Sequence, residues 1–128
     1  MPRISLLFAS LHVLLLIVLV VPIVRIRLRQ RIDIGDGGDA RLIQLIRVQG
    51  NFLEYVPIGL LMLALLELGG LDAAWLYGFG GALLLARVLH AFGFSRSTGS
   101  SPGRAIGALL TWADLIAMAL AGIWLALR

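Results

Sequence analysis

The feature that most constrains this chain is a set of four apolar stretches, each about as long as a bilayer is thick. A hydrocarbon core of about 30 Å takes roughly 20 helical residues to cross. Stretches of this length run over residues 4–24, 42–66, 71–94 and 104–127. Helices also satisfy their backbone hydrogen bonds internally, as lipid requires. The sequence therefore predicts an all-α integral membrane protein, a single four-transmembrane-helix bundle over residues 1–128.

Composition excludes several other kinds of protein. Apolar residues make up 60% of the chain and charged residues 14%, against about 45–50% and about 25% in soluble domains. The absence of cysteine excludes a disulfide framework, a thiolate nucleophile and a cysteine zinc site. His12 and His90 lie far apart, so we expect no metal site, and we interpret His12 as structural. The arginines lie between apolar runs despite the net charge of +4, so we expect no nucleic-acid partner.

Arginine is distributed unevenly between the two sides of the predicted membrane. We expect the arginines between residues 25 and 31 to follow the end of the first helix, where they attract anionic lipid, and residues 35–38 to form a turn. By the positive-inside rule, the first and third connections are cytoplasmic and both termini lie outside. Seven arginines lie near those two connections and two on the other side: Arg25, Arg27, Arg29, Arg31, Arg41, Arg96 and Arg104 against Arg3 and Arg128.

Polar residues interrupt one face of the second span. Arg47, Asn51 and Glu54 stand at i, i+4 and i+7, within about 60° of one another on a helix. Tyr55 flanks this face, whereas Gln49 points to the opposite side. Two interpretations are open. Either Asn51 bridges an Arg47–Glu54 pair that holds two helices in register, or the guanidinium grips a carboxylate and Glu54 an ammonium of a small zwitterion.

The third and fourth spans also contain ionisable residues, which are costly in a membrane and normally have a partner or a task. Arg87 and His90 are three residues apart and share a helix face. Asp114 needs a cation or a donor, and Arg87 is the partner that we predict for it. Small residues such as Gly103 and Gly107 provide surfaces for close helix packing.

The chain resembles the MAPEG family, the membrane-associated proteins of eicosanoid and glutathione metabolism. The similarity covers all four spans, and the bacterial branch is the most similar. It implies a homotrimer in the bacterial inner membrane, with a glutathione co-substrate between subunits near the cytoplasmic face. The termini, which the arginine count places outside, are then expected to be periplasmic. Hydrophobic small molecules and membrane lipid are the other partners implied. Two motifs carry the resemblance: Arg47-x-Gln49-x-Asn51-x-x-Glu54-Tyr55-x-Pro57 and Arg87-x-x-His90-Ala91-x-Gly93.

The resemblance also implies roles for individual residues. The positions that hold the tripeptide in the family are occupied here by Arg47, Asn51, Glu54 and Tyr55. Gln49 matches a position that reaches the adjacent glutathione site. Arg27 lies near the position of a family arginine that contacts a glutathione carboxylate. Arg104, after Pro102, matches an arginine that faces the thiol sulfur. His90 and Phe94 stand where eicosanoid synthases have tyrosines. We therefore expect His90 to be a glutathione-binding residue, but we do not expect a dedicated leukotriene or prostaglandin synthase.

The chemistry implied is activation of a thiol. A guanidinium beside the sulfur favours the thiolate, which attacks a hydrophobic electrophile or reduces a lipid hydroperoxide. We therefore expect a microsomal-type glutathione S-transferase or peroxidase with Arg104 as the catalytic residue. The alternative is a non-catalytic lipid-binding or scaffold protein of the same fold, in which the polar residues serve assembly and Arg104 only fixes topology.

Overall fold

A computed structural model of the chain describes residues 1–96 and 101–128, apart from the side chains of residues 94–96. Each of its four helices is long and apolar enough to cross a membrane, and large apolar side chains such as Leu14 and Leu120 are exposed on the outside of the bundle. The predicted four-helix membrane bundle is therefore confirmed. The helices are α1 (Arg3–Gln30), α2 (Ala40–Leu68), α3 (Ala73–Arg96) and α4 (Pro102–Leu127).

Helices α2 and α3 form the centre of the bundle. They contact each other, and each also contacts α1 and α4, whereas α1 and α4 do not meet within the described residues. Short connections make successive helices antiparallel. One end of the bundle, which we call the basic end, is therefore where α1 and α3 end and where α2 and α4 begin. Both termini and the connection between α2 and α3 lie at the opposite end.

Helix α1 is longer than the apolar run that predicted it. Its 28 residues span about 42 Å at 1.5 Å per residue. Arg25, Arg27 and Arg29 lie on the helix, which ends only at Arg31 with a φ of 56°. The expectation that these arginines follow the end of the helix is therefore wrong. Arginine is a good helix former, and its charge is favourable near a helix C-terminus.

The connection from α1 to α2 is the predicted turn. All three glycines between residues 35 and 38 have positive φ, between 60° and 76°, a conformation that glycine adopts without steric cost. Asp39 then caps α2, with Oδ1 accepting from the backbone N–H of Leu42 at 2.8 Å. Gln30 Nε2 donates to Asp39 Oδ2 at 2.5 Å. These hydrogen bonds, above all the one from Gln30, hold the pKa of Asp39 below its ordinary value.

At the opposite end, a carboxylate from α2 caps the start of α1. Pro2 at the N-cap position makes no side-chain cap. Instead, Glu67 accepts from the backbone N–H groups of Ile4 at 2.9 Å and Ser5 at 2.7 Å, and from Ser5 Oγ at 2.6 Å. The free N–H groups of a helix start require such acceptors. The last turn of α2 is thereby attached to the first turn of α1.

Helices α3 and α4 approach closely through small residues. A Cβ atom on Gly107 would lie 2.6 Å from the His90 backbone N and 2.7 Å from the Ala86 carbonyl oxygen. Gly103 lies against the Cα of Gly93 in the same way. The predicted packing role of Gly103 and Gly107 is therefore confirmed, and it operates within one chain.

Candidate functional site

The charged residues of α2 lie on the face that points away from the rest of the chain. Leu45, Val48 and Phe52 are buried against the other helices. Arg47 and Glu54, which are two turns apart, are both exposed. The structure therefore places two opposite charges on the outer surface of a membrane-spanning helix.

Arg47 and Glu54 do not pair with each other. Among the residues that the structure describes, neither side chain forms a hydrogen bond or an ion pair within 4.0 Å. The interpretation in which Asn51 bridges an Arg47–Glu54 pair is therefore wrong for a single chain. The reason is the orientation of the three residues: Asn51 turns toward α3, whereas the two charges remain outside.

Asn51 contacts a buried arginine that the sequence did not connect with it. Arg87 is 2% exposed, and its Nη2 donates to Asn51 Oδ1 at 2.6 Å. A short hydrogen bond between a charged donor and an amide oxygen is strong. Asn51, predicted as a glutathione ligand, is thus already engaged inside the bundle, at the boundary between the buried and exposed faces of α2.

The same guanidinium joins α2 and α3 to α4. Arg87 Nη1 donates to Thr111 Oγ1 at 3.3 Å, and the Thr111 hydroxyl donates to the Gly107 carbonyl at 2.8 Å. Arg87 Nη2 lies 3.3 Å from His90 Nδ1, which accepts when the imidazole proton is on Nε2. Three helices therefore meet at one buried side chain. We name Asn51, Arg87, His90 and Thr111 the arginine cluster.

Asp114 is buried beside the arginine cluster but does not belong to it. The residue is 6% exposed, and its Oδ2 has no hydrogen-bond partner among the described residues. Asp114 and Arg87 form no ion pair in that part of the chain, so the predicted partnership is wrong. Asp114 lies one turn beyond Thr111, farther from the basic end, whereas the guanidinium is held by Thr111 itself and by Asn51.

Arg104 lies in the first turn of α4, at the basic end. The Ser101 hydroxyl oxygen caps the helix by accepting from the Arg104 backbone N–H at 3.2 Å. Gly93 of α3 packs directly against this turn: a Cβ there would lie 2.8 Å from Ser101 Oγ. The Arg104 side chain is half-buried.

The remaining predicted site residues are not brought together in one chain. Arg27, near the end of α1, donates from Nη1 to the Asp33 carbonyl at 3.4 Å. Gln49 and Tyr55 are half-buried and make no side-chain hydrogen bond among the described residues. The Phe94 side chain lies outside the described residues, as do the side chain of Arg96 and residues 97–100.

Two members of the arginine cluster, Arg87 and Thr111, are not predicted as site residues from the sequence. Arg87 carries a usable signal, since a charge near the middle of a span is costly without several polar contacts. Thr111 carries little signal, because threonine is common at the packed faces of membrane helices. His12 is buried as expected of a structural residue, with Nδ1 2.7 Å from the Phe8 carbonyl oxygen.

Comparison with known proteins gives a consistent result. The family model of the MAPEG family matches residues 5–124. The inner membrane protein YecN of Escherichia coli strain K12 is 35% identical over 121 residues, which cover 94% of this chain and 91% of YecN. YecN of Escherichia coli O6:H1 is similar to the same extent. The motifs on α2 and α3, the four-helix architecture and these matches all agree, and the chain belongs to the MAPEG family.

Proposed function

We propose that the protein is a glutathione-dependent transferase or peroxidase of the inner membrane. It acts as a homotrimer that binds glutathione at the exposed charged face of α2 and transfers the glutathionyl group, through its sulfur, to hydrophobic electrophiles, or reduces lipid hydroperoxides. The inner-membrane location follows that of YecN, whose name gives it this location.

The observation that carries the proposal is the pair of exposed, opposite charges at Arg47 and Glu54. A charge within a span costs about 2.5–3.5 kcal/mol on insertion scales, so two such charges on a lipid-facing surface require a partner. Glutathione carries two carboxylates and one ammonium. A guanidinium binds a carboxylate in bidentate fashion, and Glu54 is the complementary acceptor for the ammonium.

A second subunit completes the site in this proposal. Arg27 and Gln49 do not reach Arg47 or Glu54 within one chain, but the family resemblance assigns both to glutathione binding. A neighbouring copy that packs on the outer face of α2 covers the charges and supplies such residues. The arginines at the basic end orient this end to the cytoplasm by the positive-inside rule, where glutathione is available.

Arg104 is the residue proposed to activate the thiol. It lies in the first turn of α4. The partial positive charge of a helix N-terminus disfavours a cation there and favours an anion. A glutathione thiolate placed there satisfies both the guanidinium and the helix start. The thiol proton passes to water.

The thiolate then reacts with a substrate that enters from the bilayer. With an electrophile, its sulfur forms a bond to carbon while a leaving group departs with the electron pair. With a hydroperoxide, the sulfur attacks the terminal peroxide oxygen, the O–O bond breaks, and the leaving alkoxide takes a proton from water. The products are an alcohol and a sulfenic acid. A second glutathione converts the sulfenic acid to the disulfide and water.

The second candidate is a non-catalytic lipid-binding or scaffold protein of the same fold. The observation that favours it is the hydrogen bond between Asn51 and Arg87. The family motif assigns the Asn51 amide to glutathione, but here its oxygen already accepts a hydrogen bond within the chain. Phe94 also cannot donate the hydrogen bond of the tyrosine that eicosanoid synthases have at this position. In this candidate the charged face of α2 serves only subunit assembly.

Two measurements on purified protein in lipid nanodiscs separate the candidates. Glutathione binding is measured by calorimetry, and conjugation is followed with 1-chloro-2,4-dinitrobenzene as a generic electrophile. We expect wild type to bind and to conjugate. Arg104→Ala should keep its affinity within about twofold and lose at least tenfold in turnover, because each tenfold corresponds to about 1.4 kcal/mol of thiolate stabilisation.

The matched control is Arg128→Gln, which removes a charge at the opposite end and should change neither quantity. Absence of glutathione binding in wild type would contradict the enzyme proposal and favour the scaffold. Binding without conjugation in wild type would also favour the second candidate. Equal turnover in Arg104→Ala and wild type would show that Arg104 does not activate the thiol.

A further inference from the structure

A narrow crevice opens between α1, α2 and α3 in the half of the bundle near the basic end. Its volume is about 180 Å³. The wall from α1 includes Leu15, Val18 and Pro22, and the wall from α2 includes Val48. Among the described residues, the only charged one that lines it is Arg41, in the first turn of α2. The crevice is therefore apolar along its length, with a cation at the end nearest the membrane surface.

Two further arginines continue the same face of α1 beyond the crevice. Residues 15, 18, 22, 25 and 29 fall within about 80° of one another on a helix. Because α1 remains helical to Gln30, Arg25 and Arg29 stand above the crevice at the membrane surface. Both are exposed. Arg27 points to the other side, where it donates to the Asp33 carbonyl.

We propose that this crevice and the three arginines above it, Arg25, Arg29 and Arg41, form a binding site for one phospholipid with an anionic headgroup. One acyl chain lies in the crevice, and the phosphate contacts the guanidinium groups. The site lies within one chain and does not depend on glutathione binding.

The charge and shape of the site identify this occupant. The crevice is apolar and has cations at its interfacial end. A phospholipid matches it, because its anionic headgroup would lie at the arginines and an acyl chain in the crevice. Three guanidinium groups favour a headgroup with net negative charge over a zwitterionic one, whose ammonium they repel. Arg41 Nη1 also donates to Gln44 Oε1 at 3.1 Å. A guanidinium has five N–H donors, so this bond is compatible with a phosphate contact.

Native mass spectrometry of the full chain tests the proposal. The protein is released from vesicles of equal amounts of phosphatidylglycerol and phosphatidylcholine, and the retained lipid is identified. We expect wild type to retain one phosphatidylglycerol per chain. Arg41→Gln should lower this retention about fivefold, because one arginine near a membrane surface is worth about 1 kcal/mol for an anionic lipid. Arg25→Gln and Arg29→Gln should act in the same direction.

Two matched variants test the headgroup and the crevice separately. Arg31→Gln removes the same charge at the same end but outside the face of α1 that carries Arg25 and Arg29, and it should leave retention unchanged. Val18→Trp places a large ring over the crevice from a position that is 65% exposed, outside the packed core. It should lower retention of both lipids.

Two results would overturn the proposal. If Arg31→Gln lowers retention as much as Arg41→Gln, the arginines attract anionic lipid only diffusely. If Val18→Trp retains lipid as wild type does, no acyl chain occupies the crevice. Helix content by circular dichroism confirms that each variant is folded. Should Arg41→Gln fail that check, the exposed Arg25→Gln and Arg29→Gln provide the comparison.

Discussion

The two halves of the bundle differ in where their charged residues lie and in what those residues contact. In the half near the termini, the core is apolar, and Glu67 near the end of α2 caps α1. In the half near the basic end, Arg47 and Glu54 lie on the outside and form no ion pair with any described residue, and Arg87 is buried among polar side chains. The apolar core near the termini consists of Phe8, Leu63, Leu66, Leu76 and Met118.

This difference separates residues that hold the fold from residues that are available for binding. The Glu67 carboxylate accepts three hydrogen bonds from a neighbouring helix, so its charge is stabilised within the chain. Arg47 and Glu54 on the outer face of α2 have no such stabilisation among the described residues, so they need a ligand or a second subunit. Stability and function should therefore respond to substitutions in different halves of the molecule.

The largest expected effect on stability comes from the apolar half. Leu63 is fully buried, and Leu63→Ala should lower the free energy of unfolding by about 2–3 kcal/mol. The lost packing contributes most of this, because lipid is as apolar as leucine and the transfer contribution is small. Reversible unfolding in mixed micelles measures it. Leu61→Ala, at a position 53% exposed, is the control, and an equal loss there would contradict a localised core.

The next effect concerns the arginine cluster. Asn51→Leu should cost about 1.5 kcal/mol, because the buried guanidinium loses its shortest hydrogen bond. In an Arg87→Leu background the same substitution should cost almost nothing, since the charge that needs the amide is absent. Unfolding of the four proteins in this double-mutant cycle measures the coupling. Equal costs in both backgrounds would mean that the Asn51–Arg87 contact does not stabilise the bundle.

A smaller effect is expected at the cap on α1. Glu67→Gln keeps the size of the side chain but removes the charge that accepts from Ile4 and Ser5, so it should cost about 1 kcal/mol. Hydrogen exchange should report faster opening in the first turn of α1 alone. Faster exchange throughout α1 would contradict a local cap.

The smallest effect is the pH dependence of the α2 cap. The pKa of Asp39 is lowered in the folded protein, mainly by the Gln30 amide. Its contribution is therefore complete above the ordinary value of 3.8 and is lost as the pH falls through the lowered pKa. Asp39→Asn keeps a capping oxygen but does not titrate. Thermal unfolding from pH 6 to pH 2 should show the wild type losing a stability advantage over this variant below pH 3.8, and a constant difference would contradict the capping role.

Much of the fold follows from the sequence because lipid imposes a simple rule on helix length and composition. The apolar runs predict the four helices, and the glycines at residues 35–38 predict the turn. The end of α1 was misplaced because its arginines continue the helix into the aqueous interface, where hydrophobicity no longer marks the boundary. Helical spacing says nothing about that boundary.

The contacts inside the candidate site were harder to predict. The spacing of Arg47, Asn51 and Glu54 shows that they share a helix face. It does not show which of them are buried in the bundle and which are exposed. The rotation of α2, set by packing at Val48 and Phe52, turns Asn51 inward and leaves the charges outside. The bond from Arg87 to Asn51 depends on this rotation and on the position of α3, which no local pattern encodes.

The proposed function requires that the exposed charges of α2 bind a zwitterionic tripeptide. Calorimetry in nanodiscs should compare glutathione with its deaminated analogue on wild type and on Glu54→Gln. We expect that removing the ligand ammonium and removing the Glu54 charge each weaken glutathione binding at least tenfold. The two losses should not add, because both delete the same contact. Additive losses, or undiminished binding in Glu54→Gln, would contradict it.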